Sequence, residues 1–570
     1  MTDYDVVVVG SGAAGLTAAL TAARRGMRAV VVEKAPCFGG STARSGGGVW
    51  IPNNHVLARE HAGDTPADGR AYVAHLVDGV VEPERQQAFL THGPPMLEMV
   101  CQSTPLRLKW VRGYSDYYPE APGGRPKGRS VEPRPLDARV LGDEIAHLEP
   151  PYLAAPAGMT VTQADYKWLN LSARHPRGVW RALRVGARTA TNRLRRRRML
   201  SMGQALVAAL RAGLARLDVP VLLDTPMLEL VVDGDRVTGV RVQHEGTETV
   251  LTARRAVLLA TGGFEHNEAM RKEYQEHPIG TEWTVGAVAN TGDGITAAQA
   301  LGADVDLMDD AWWGPSIPLT GGPYFCLSER ALPGCIMVNA AGARFVNESS
   351  PYVDAVKAMY AGPRTGVDHI PCWLVADQRY RNNYTFAGLG PRQPFPRRWY
   401  AAGVVQRADT VEELAERIGV PAHGLRQTVT RFNDYADSGV DADFGRGRSR
   451  YDHYYGDPRR RQNPNLAPLE KAPFYAVRIV PGDLGTKGGL RTDARARVLR
   501  ADGSAIPGLY AAGNASATVM GHTYAGPGAT LGPAMTFGYL AAQTAADCAD
   551  ADAAPQSSVR HDTAPHGGTP

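Results

Sequence analysis

Hydrophobic positions near the start of the chain fall into a strand–helix–strand pattern. Asp5-Val6-Val7-Val8-Val9 is a short continuous apolar run of β-branched residues, the mark of a strand buried on both faces. Leu16–Arg25 is Ala- and Leu-rich, with two arginines in its last turn and Gly26 beyond, which predicts a helix closed by glycine. Ala29–Val32 repeats the strand pattern and ends on Glu33. Helical spacing returns between residues 56 and 105, in Tyr72–Val77 and around Phe89, Leu90, Met96 and Met99, and again over Gly203–Leu217. From 220 to 263 the pattern is that of strands. Val221-Leu222-Leu223, Glu229–Val232 and the alternating Val237–His244 lead to Ala256–Ala260, which ends in Thr261-Gly262-Gly263-Phe264. Gly508–Asn514 carries a similar strand running into glycine.

Strand patterns of one kind at the start, middle and end of the chain predict a single discontinuous α/β domain. Its Rossmann-like parts are residues 1–279, with a helical insertion over about 56–200, and 475–548. An α+β cap, richer in Trp, Tyr and Pro, is expected between them at 280–474. Beyond 549 there is no periodicity, and a disordered tail is expected.

The turn joining the first strand to the first helix reads Gly10-Ser11-Gly12-Ala13-Ala14-Gly15, a G-x-G-x-x-G dinucleotide fingerprint. Gly10 permits the tight turn, Gly12 lets backbone approach a pyrophosphate, and Gly15 lets the helix pack close. Helix-start N–H groups would bind the phosphates, and Glu33 would accept from ribose hydroxyls. Lys34 and a second Gly/Ser/Thr loop follow, with Gly40, Ser41, Thr42, Ser45, Gly47 and Gly48. A loop of this length can wrap a cofactor larger than NAD. It resembles that of the FAD-dependent fumarate reductase and succinate dehydrogenase flavoproteins, so FAD is expected. No attachment residue stands out, so the flavin is expected to be non-covalent. Thr261, Gly262, Gly263, Gly513 and Asn514, at strand ends, would put backbone beside it.

Composition narrows the class. At 570 residues, with 44% hydrophobic and 21% charged positions, the chain reads as a soluble globular protein of two or three units. A formal charge of 62 − 58 = +4 argues against a nucleic-acid partner. Six cysteines show no C-x-x-C pair and no metal spacing, and read as reduced thiols. The acidic start lacks the features of a secretory signal and no run reaches a membrane span, so a cytoplasmic location is expected. The run Arg193–Arg198 reads first as a solvated face, with weak contact to an anionic membrane surface as the alternative.

Two stretches carry candidate chemistry. Tyr114, Tyr117 and Tyr118 form a phenol-rich patch ahead of a Pro/Gly/Arg-rich segment, and Gly521–Ala534 offers Tyr524 among glycines that can present backbone N–H groups. The segments Gly39–Asn53, Gly113–Glu120, Trp283–Ile295, Arg344–Tyr352, Leu484–Asp493 and His522–Gly538 are similar to those of the 3-ketosteroid Δ1-dehydrogenases, a resemblance covering about residues 4–545. It implies an FAD enzyme in which hydride passes from ring carbon 1 to flavin and a proton from carbon 2 to a tyrosinate. By position, Tyr524 and the N–H of Gly528 match the pair holding the 3-keto oxygen, and Tyr352 matches the base. Tyr117, or else Tyr118, matches the residue supporting the base, and Tyr324 is the reserve candidate for the base itself. Val49, Trp50, Tyr114, Tyr118, Tyr324 and Phe325 are expected to wall the steroid. Val231, Asn290, Asp293, Gly532 and Pro533 complete the expected cofactor contacts.

The physics is consistent with such roles. A C–H beside a ketone becomes acidic only when charge on the oxygen is stabilised, and each donor in a dry site supplies roughly 2.7–4 kcal/mol. A tyrosine base must be shifted about three units, roughly 4 kcal/mol, to be anionic at neutral pH. Gly485–Leu490 lacks the histidines of the dicarboxylate-reducing flavoproteins, and Trp283, Trp312, Trp313 and Phe325 suit a polycyclic ketone better than a dianion. A dehydrogenase making the 4-ene, and a non-catalytic flavin-bearing binding or redox subunit, remain as alternatives. With no second pyridine-nucleotide unit, the electron acceptor is expected to be external and quinone-like.

Overall fold

The computed structural model describes residues 2–153 and 158–553. Strand β1 (Thr2–Val9) turns through Gly10 into α1 (Ala13–Arg24), and the chain returns as β2 (Ala29–Val32), parallel to β1 with Val6 opposite Ala29. Val6, Val8 and Val31 pack into one core and Val7, Val9, Val30 and Val32 into another. The all-apolar run is thus explained by a sheet covered on both faces, each buried valine contributing about 1.5–3 kcal/mol. At the turn, Gly10 has φ +107°, and a Cβ there would lie 2.2 Å from the carbonyl oxygen of Ala260. Only glycine lets two strand ends approach so closely.

Helices α2 (Pro66–Leu76), α3 (Pro83–Ser103), α4 (Gln163–Leu169) and α5 (Pro176–Leu194) belong to the insertion, and α6 (Met202–Ala215) leads back. There β3 (Val221–Leu222), β4 (Met227–Asp233), β5 (Arg236–His244) and β6 (Thr247–Leu259) follow. The cap contributes β7 (Ala311–Ile317), β8 (Tyr324–Phe325), β9 (Cys335–Val338), helix α7 (Tyr352–Tyr360), β10 (Cys372–Asp377), β11 (Val405–Ala408) and β12 (Phe474–Thr486). The chain closes with β13 (Arg497–Leu499), β14 (Ala505–Ala511) and α8 (Leu531–Ala553), which lies along α1.

The first sheet has eight strands in the order β13-β14-β6-β1-β2-β3, with β5 on β6 and β4 on β5. The cap sheet has six, β8-β7-β12-β10-β9 with β11 on β12. Strand β12 runs through the boundary expected at 474/475 and pairs with β7, β10 and β11, so the cap sheet extends to Thr486. The tail differs as well: α8 continues to Ala553, and residues 554–570 lie outside the described residues.

Candidate active site

A single cavity of about 1820 Å³ reaches from the Gly10 turn into the cap. Drug-sized ligands occupy roughly 300–1,000 Å³, so this space suits two molecules laid end to end.

Of the expected cofactor residues, Gly10, Ser11, Gly12, Ala13, Ala14, Glu33, Lys34, Gly40, Ser41, Thr42, Ser45, Gly47, Gly48, Thr261, Gly262, Asn290, Asp293, Gly513 and Asn514 line the cavity. Their side chains brace the cradle. The Glu33 carboxylate accepts from Ser11 N at 3.0 Å and Ser11 Oγ at 2.6 Å, and Thr42 Oγ1 accepts from Ala13 N at 3.0 Å. Lys34 Nζ reaches Asp293 Oδ2 at 2.6 Å, and Asn290 Nδ2 donates to Ser41 Oγ at 3.0 Å. A Cβ built on Gly40 would meet nothing within 4 Å, so this part of the wall is bare backbone. The buried Thr261 Oγ1 and Gln163 Oε1, both on the lining, have no hydrogen-bond partner among the described residues. The start of α1, bare glycine backbone and unspent polar atoms on one lining fit a dinucleotide.

Five expected contacts lie elsewhere. Gly15 packs on the Gly10 carbonyl, Gly263 on Thr486 and Glu265, and Gly532 on the Trp50 carbonyl. Val231 sits in the β4–β5 hairpin, and Pro533 in the first turn of α8, away from the lining.

Three phenols meet on the same lining. Tyr117 comes from the insertion, Tyr352 from the first turn of α7, and Tyr524 from the loop before α8. Ring centroids lie 5.3 Å apart for Tyr117 and Tyr352, 5.1 Å for Tyr117 and Tyr524, and 5.6 Å for Tyr352 and Tyr524. The Tyr117 hydroxyl donates to that of Tyr352 at 2.8 Å. Tyr524 pairs its hydroxyl with Thr530 Oγ1 at 2.9 Å, and the Gly528 N–H also bears on the Tyr524 oxygen. Gly528 has φ +99°, and a Cβ there would strike the Gly48 carbonyl at 2.5 Å. All four groups line the cavity.

Tyr118 takes a different course. It turns to a second cavity and donates to Asp354 Oδ1 at 2.9 Å, so Tyr117 is the partner of Tyr352. Tyr324 also lines the main cavity, but its hydroxyl is committed to Glu329 Oε1 at 2.7 Å. Tyr114 and Phe325 line it too, the Phe325 ring edge-on to Tyr352 at 5.1 Å. Val49 and Trp50 do not. They form a short strand paired with Ser130 and Val131. The Trp50 indole stacks on Phe89 and donates to Asp116 Oδ1 at 2.8 Å, which buries a large ring whose N–H then needs an acceptor. Thr530, Gln163, Tyr152, Tyr166 and Asn170 also line the cavity and were not expected from the sequence.

Electrostatics at the phenols run against an anionic base in the free protein. Burial pushes Tyr352 well above the ordinary tyrosine value of 10, with neighbouring phenols adding to the rise and the Tyr117 hydrogen bond opposing it. Burial likewise raises Tyr524, while Thr530, Tyr352 and the Gly528 N–H pull it down. A cation among the largest influences on Tyr352 would have favoured the phenolate, and none is there. These influences favour the neutral phenol of Tyr352 over its phenolate.

Residues 5–531 match the FAD binding domain family. The chain is 59% identical, over 96% of its own length and 98% of the relative's, to the 3-oxosteroid 1-dehydrogenase of Mycobacterium tuberculosis strain ATCC 25618 / H37Rv. This chain belongs to the FAD-dependent 3-oxosteroid 1-dehydrogenase family. A crystal structure of the family, the 3-ketosteroid Δ1-dehydrogenase of Sterolibacterium denitrificans in complex with 1,4-androstadiene-3,17-dione, superposes with a TM-score of 0.92 at 42% identity, covering 96% of this chain and all of that one. The 4-oxocyclohexanecarboxylate 2-dehydrogenase of Sinomonas cyclohexanicum is 37% identical, over 95% of this chain and 93% of that protein. FAD is the cofactor, and the cradle described above fits it. Among the described residues, no helix is long and apolar enough to cross a membrane.

Proposed function

We propose that the chain desaturates the 1,2-bond of 3-ketosteroids. Bound FAD supplies the hydride acceptor. The Tyr524 hydroxyl and the Gly528 N–H hold the 3-keto oxygen, with Thr530 fixing the orientation of the Tyr524 hydroxyl. Charge developing on that oxygen is stabilised only as the enol forms, so these donors act on the barrier rather than on binding alone. Tyr352 takes the proton from carbon 2. The Tyr117 hydroxyl, already aimed at the Tyr352 oxygen, stabilises the phenolate on which that step depends. The carrying observation is that the three phenols and Gly528 come together on the lining of the same cavity as the dinucleotide cradle.

Cavity size favours a polycyclic substrate over the single-ring ketone acid in the name of the Sinomonas relative. Trp399, Leu319, Leu389 and Phe325 add large apolar side chains to the same lining. Reoxidation by an external quinone-like acceptor is inferred from the lack of a second pyridine-nucleotide unit in the sequence. Anaerobic mixing with androst-4-ene-3,17-dione tests the reading. Bleaching of the flavin with formation of the 1,4-diene is expected. A spectral shift without bleaching would mean a binding protein. Reaction with a 5α-3-ketosteroid that yields only the 4-ene would favour the alternative bond.

A further inference from the structure

Behind Tyr524 lies a buried ion cluster. Strands β7 and β12 pair Ala311 with Thr486 at their ends, which sets Asp310 beside Lys487. Both are buried, Lys487 wholly, and Lys487 Nζ donates to Asp310 Oδ2 at 3.0 Å. His522 Nδ1 lies 3.2 Å from the same carboxylate oxygen, and Lys357 Nζ lies 4.0 Å from it. Burial pushes the Asp310 carboxyl up, but Lys487, His522 and Lys357 outweigh it and hold the group well below the usual carboxylate range. Asp310 is therefore an anion faced by two lysines and a histidine. A buried pair of this kind adds little stability over apolar side chains of similar size, because desolvation takes back most of the attraction. What it does supply is direction.

The cluster holds three parts of the site. Lys487 Nζ also donates to the carbonyl of Thr523 at 3.1 Å, one residue before Tyr524. It lies 4.9 Å from the centre of the Trp312 ring, which stands edge-on to Tyr524 at 4.8 Å. The Trp312 indole N–H donates to Asn514 Oδ1 at 3.1 Å, and Asn514 belongs to the cofactor cradle. Lys357 stands on α7, the helix that opens with Tyr352, and its Nζ donates to the His522 carbonyl. The loop of Tyr524, the helix of Tyr352 and the cradle are thus tied to one buried carboxylate and its cations. Lys487, Asp310, His522 and Lys357 do not line the cavity themselves, so they act through the residues they hold.

We propose that Lys487 and Asp310 are positioning residues, which set the Tyr524 loop against the Tyr352 helix so that donor and base address one ketone together. The inference rests on the roles proposed above for the two phenols. The test is the neutral pair Lys487→Met/Asp310→Leu in the full-length holoprotein, which removes both charges and strands neither. Its melting temperature and flavin content should match wild type. Turnover of androst-4-ene-3,17-dione should fall about 10- to 100-fold with KM within about twofold, the cost of misplacing reacting groups by about 1 Å. Lys487→Met alone leaves the Asp310 carboxylate buried and unpaired and should melt lower, so the single variant reads stability and the pair reads position. With 3-fluorotyrosine at position 524, one narrow fluorine resonance is expected from the otherwise unchanged protein, and a broad or split one from the neutral pair, both without steroid. Wild-type turnover or an unchanged resonance in the neutral pair would overturn the proposal. Loss of flavin, a lowered melting temperature or a rise in KM matching the fall in turnover would overturn it too, reducing the ion pair to a prop for the fold. The fluorine signal needs no steroid, so failure of the steroid reading leaves that result intact.

Discussion

Replacing Tyr117 by phenylalanine isolates one hydrogen bond in the proposed chemistry. The Tyr117 ring is packed between Tyr524 at 5.1 Å, Tyr352 at 5.3 Å and Tyr451 at 4.9 Å, so a phenyl ring fills the same space. What is lost is the donor 2.8 Å from the Tyr352 oxygen. A hydrogen bond to a charged acceptor is worth about 1.5–3 kcal/mol. Removing it therefore raises the pKa of the base by roughly one to two units and lowers kcat near neutrality about 10- to 150-fold. Because burial already sets Tyr352 well above the usual tyrosine value, the wild-type rate should climb with pH from neutrality into the alkaline range. In Tyr117→Phe the whole curve should move to higher pH, with KM for the steroid nearly unchanged. Steady-state turnover with an artificial acceptor, measured against pH with flavin content checked, reads both effects. A smaller kcat on an unmoved curve would show that Tyr117 only packs, and an unchanged kcat would remove it from the reaction.

Tyr352→Phe should retain FAD while turnover falls about 10²- to 10⁴-fold, read as slowed anaerobic bleaching by androst-4-ene-3,17-dione. For Tyr524→Phe, loss of one donor to the ketone should cost roughly 10²–10³ in kcat, and product-inhibition constants would reveal whether binding is also affected. Gly528→Ala forces a Cβ to within 2.5 Å of the Gly48 carbonyl at a φ unfavourable to alanine, so flavin content of the purified protein should drop together with activity. Buried Glu265 is pushed up to about 7, mainly by burial and then by Asp483, against the hydrogen bond from Asn290. Its folded value thus exceeds the unfolded one. The stability tied to its proton is complete below the unfolded pKa and is lost as pH rises through about 7. Thermal melts of Glu265→Gln should accordingly show a flatter decline than wild type between about pH 4.5 and 7, and parallel curves would refute the linkage.

Parts of the fold that depend on neighbouring residues were readable from the chain. Val6–Val9 announces a strand covered on both faces because every position is apolar, and Gly10 and Gly12 announce a turn because spacing alone defines it. Long-range choices were not. Tyr117 and Tyr118 sit in an irregular segment with no period to say which faces the site, and the answer lies in a partner 235 positions away. Trp50, close to the glycine loop, reads as wall but is core, because Phe89 and Asp116 meet its ring from elsewhere. Strand β12 is a 13-residue element crossing the expected boundary, and only its pairing to β7 and β10 gives it to the cap. Thr530 was overlooked because one hydroxyl inside a Gly/Ala/Pro stretch carries no pattern until Tyr524 points at it.

The bond between Tyr117 and Tyr352 joins the helical insertion to the first turn of a cap helix. Its reach is a few tenths of an ångström, so even a slight swing of the cap away from the flavin domain would sever it. On the proposed chemistry, parting those two elements would cost what Tyr117→Phe costs, a turnover about 10- to 150-fold slower.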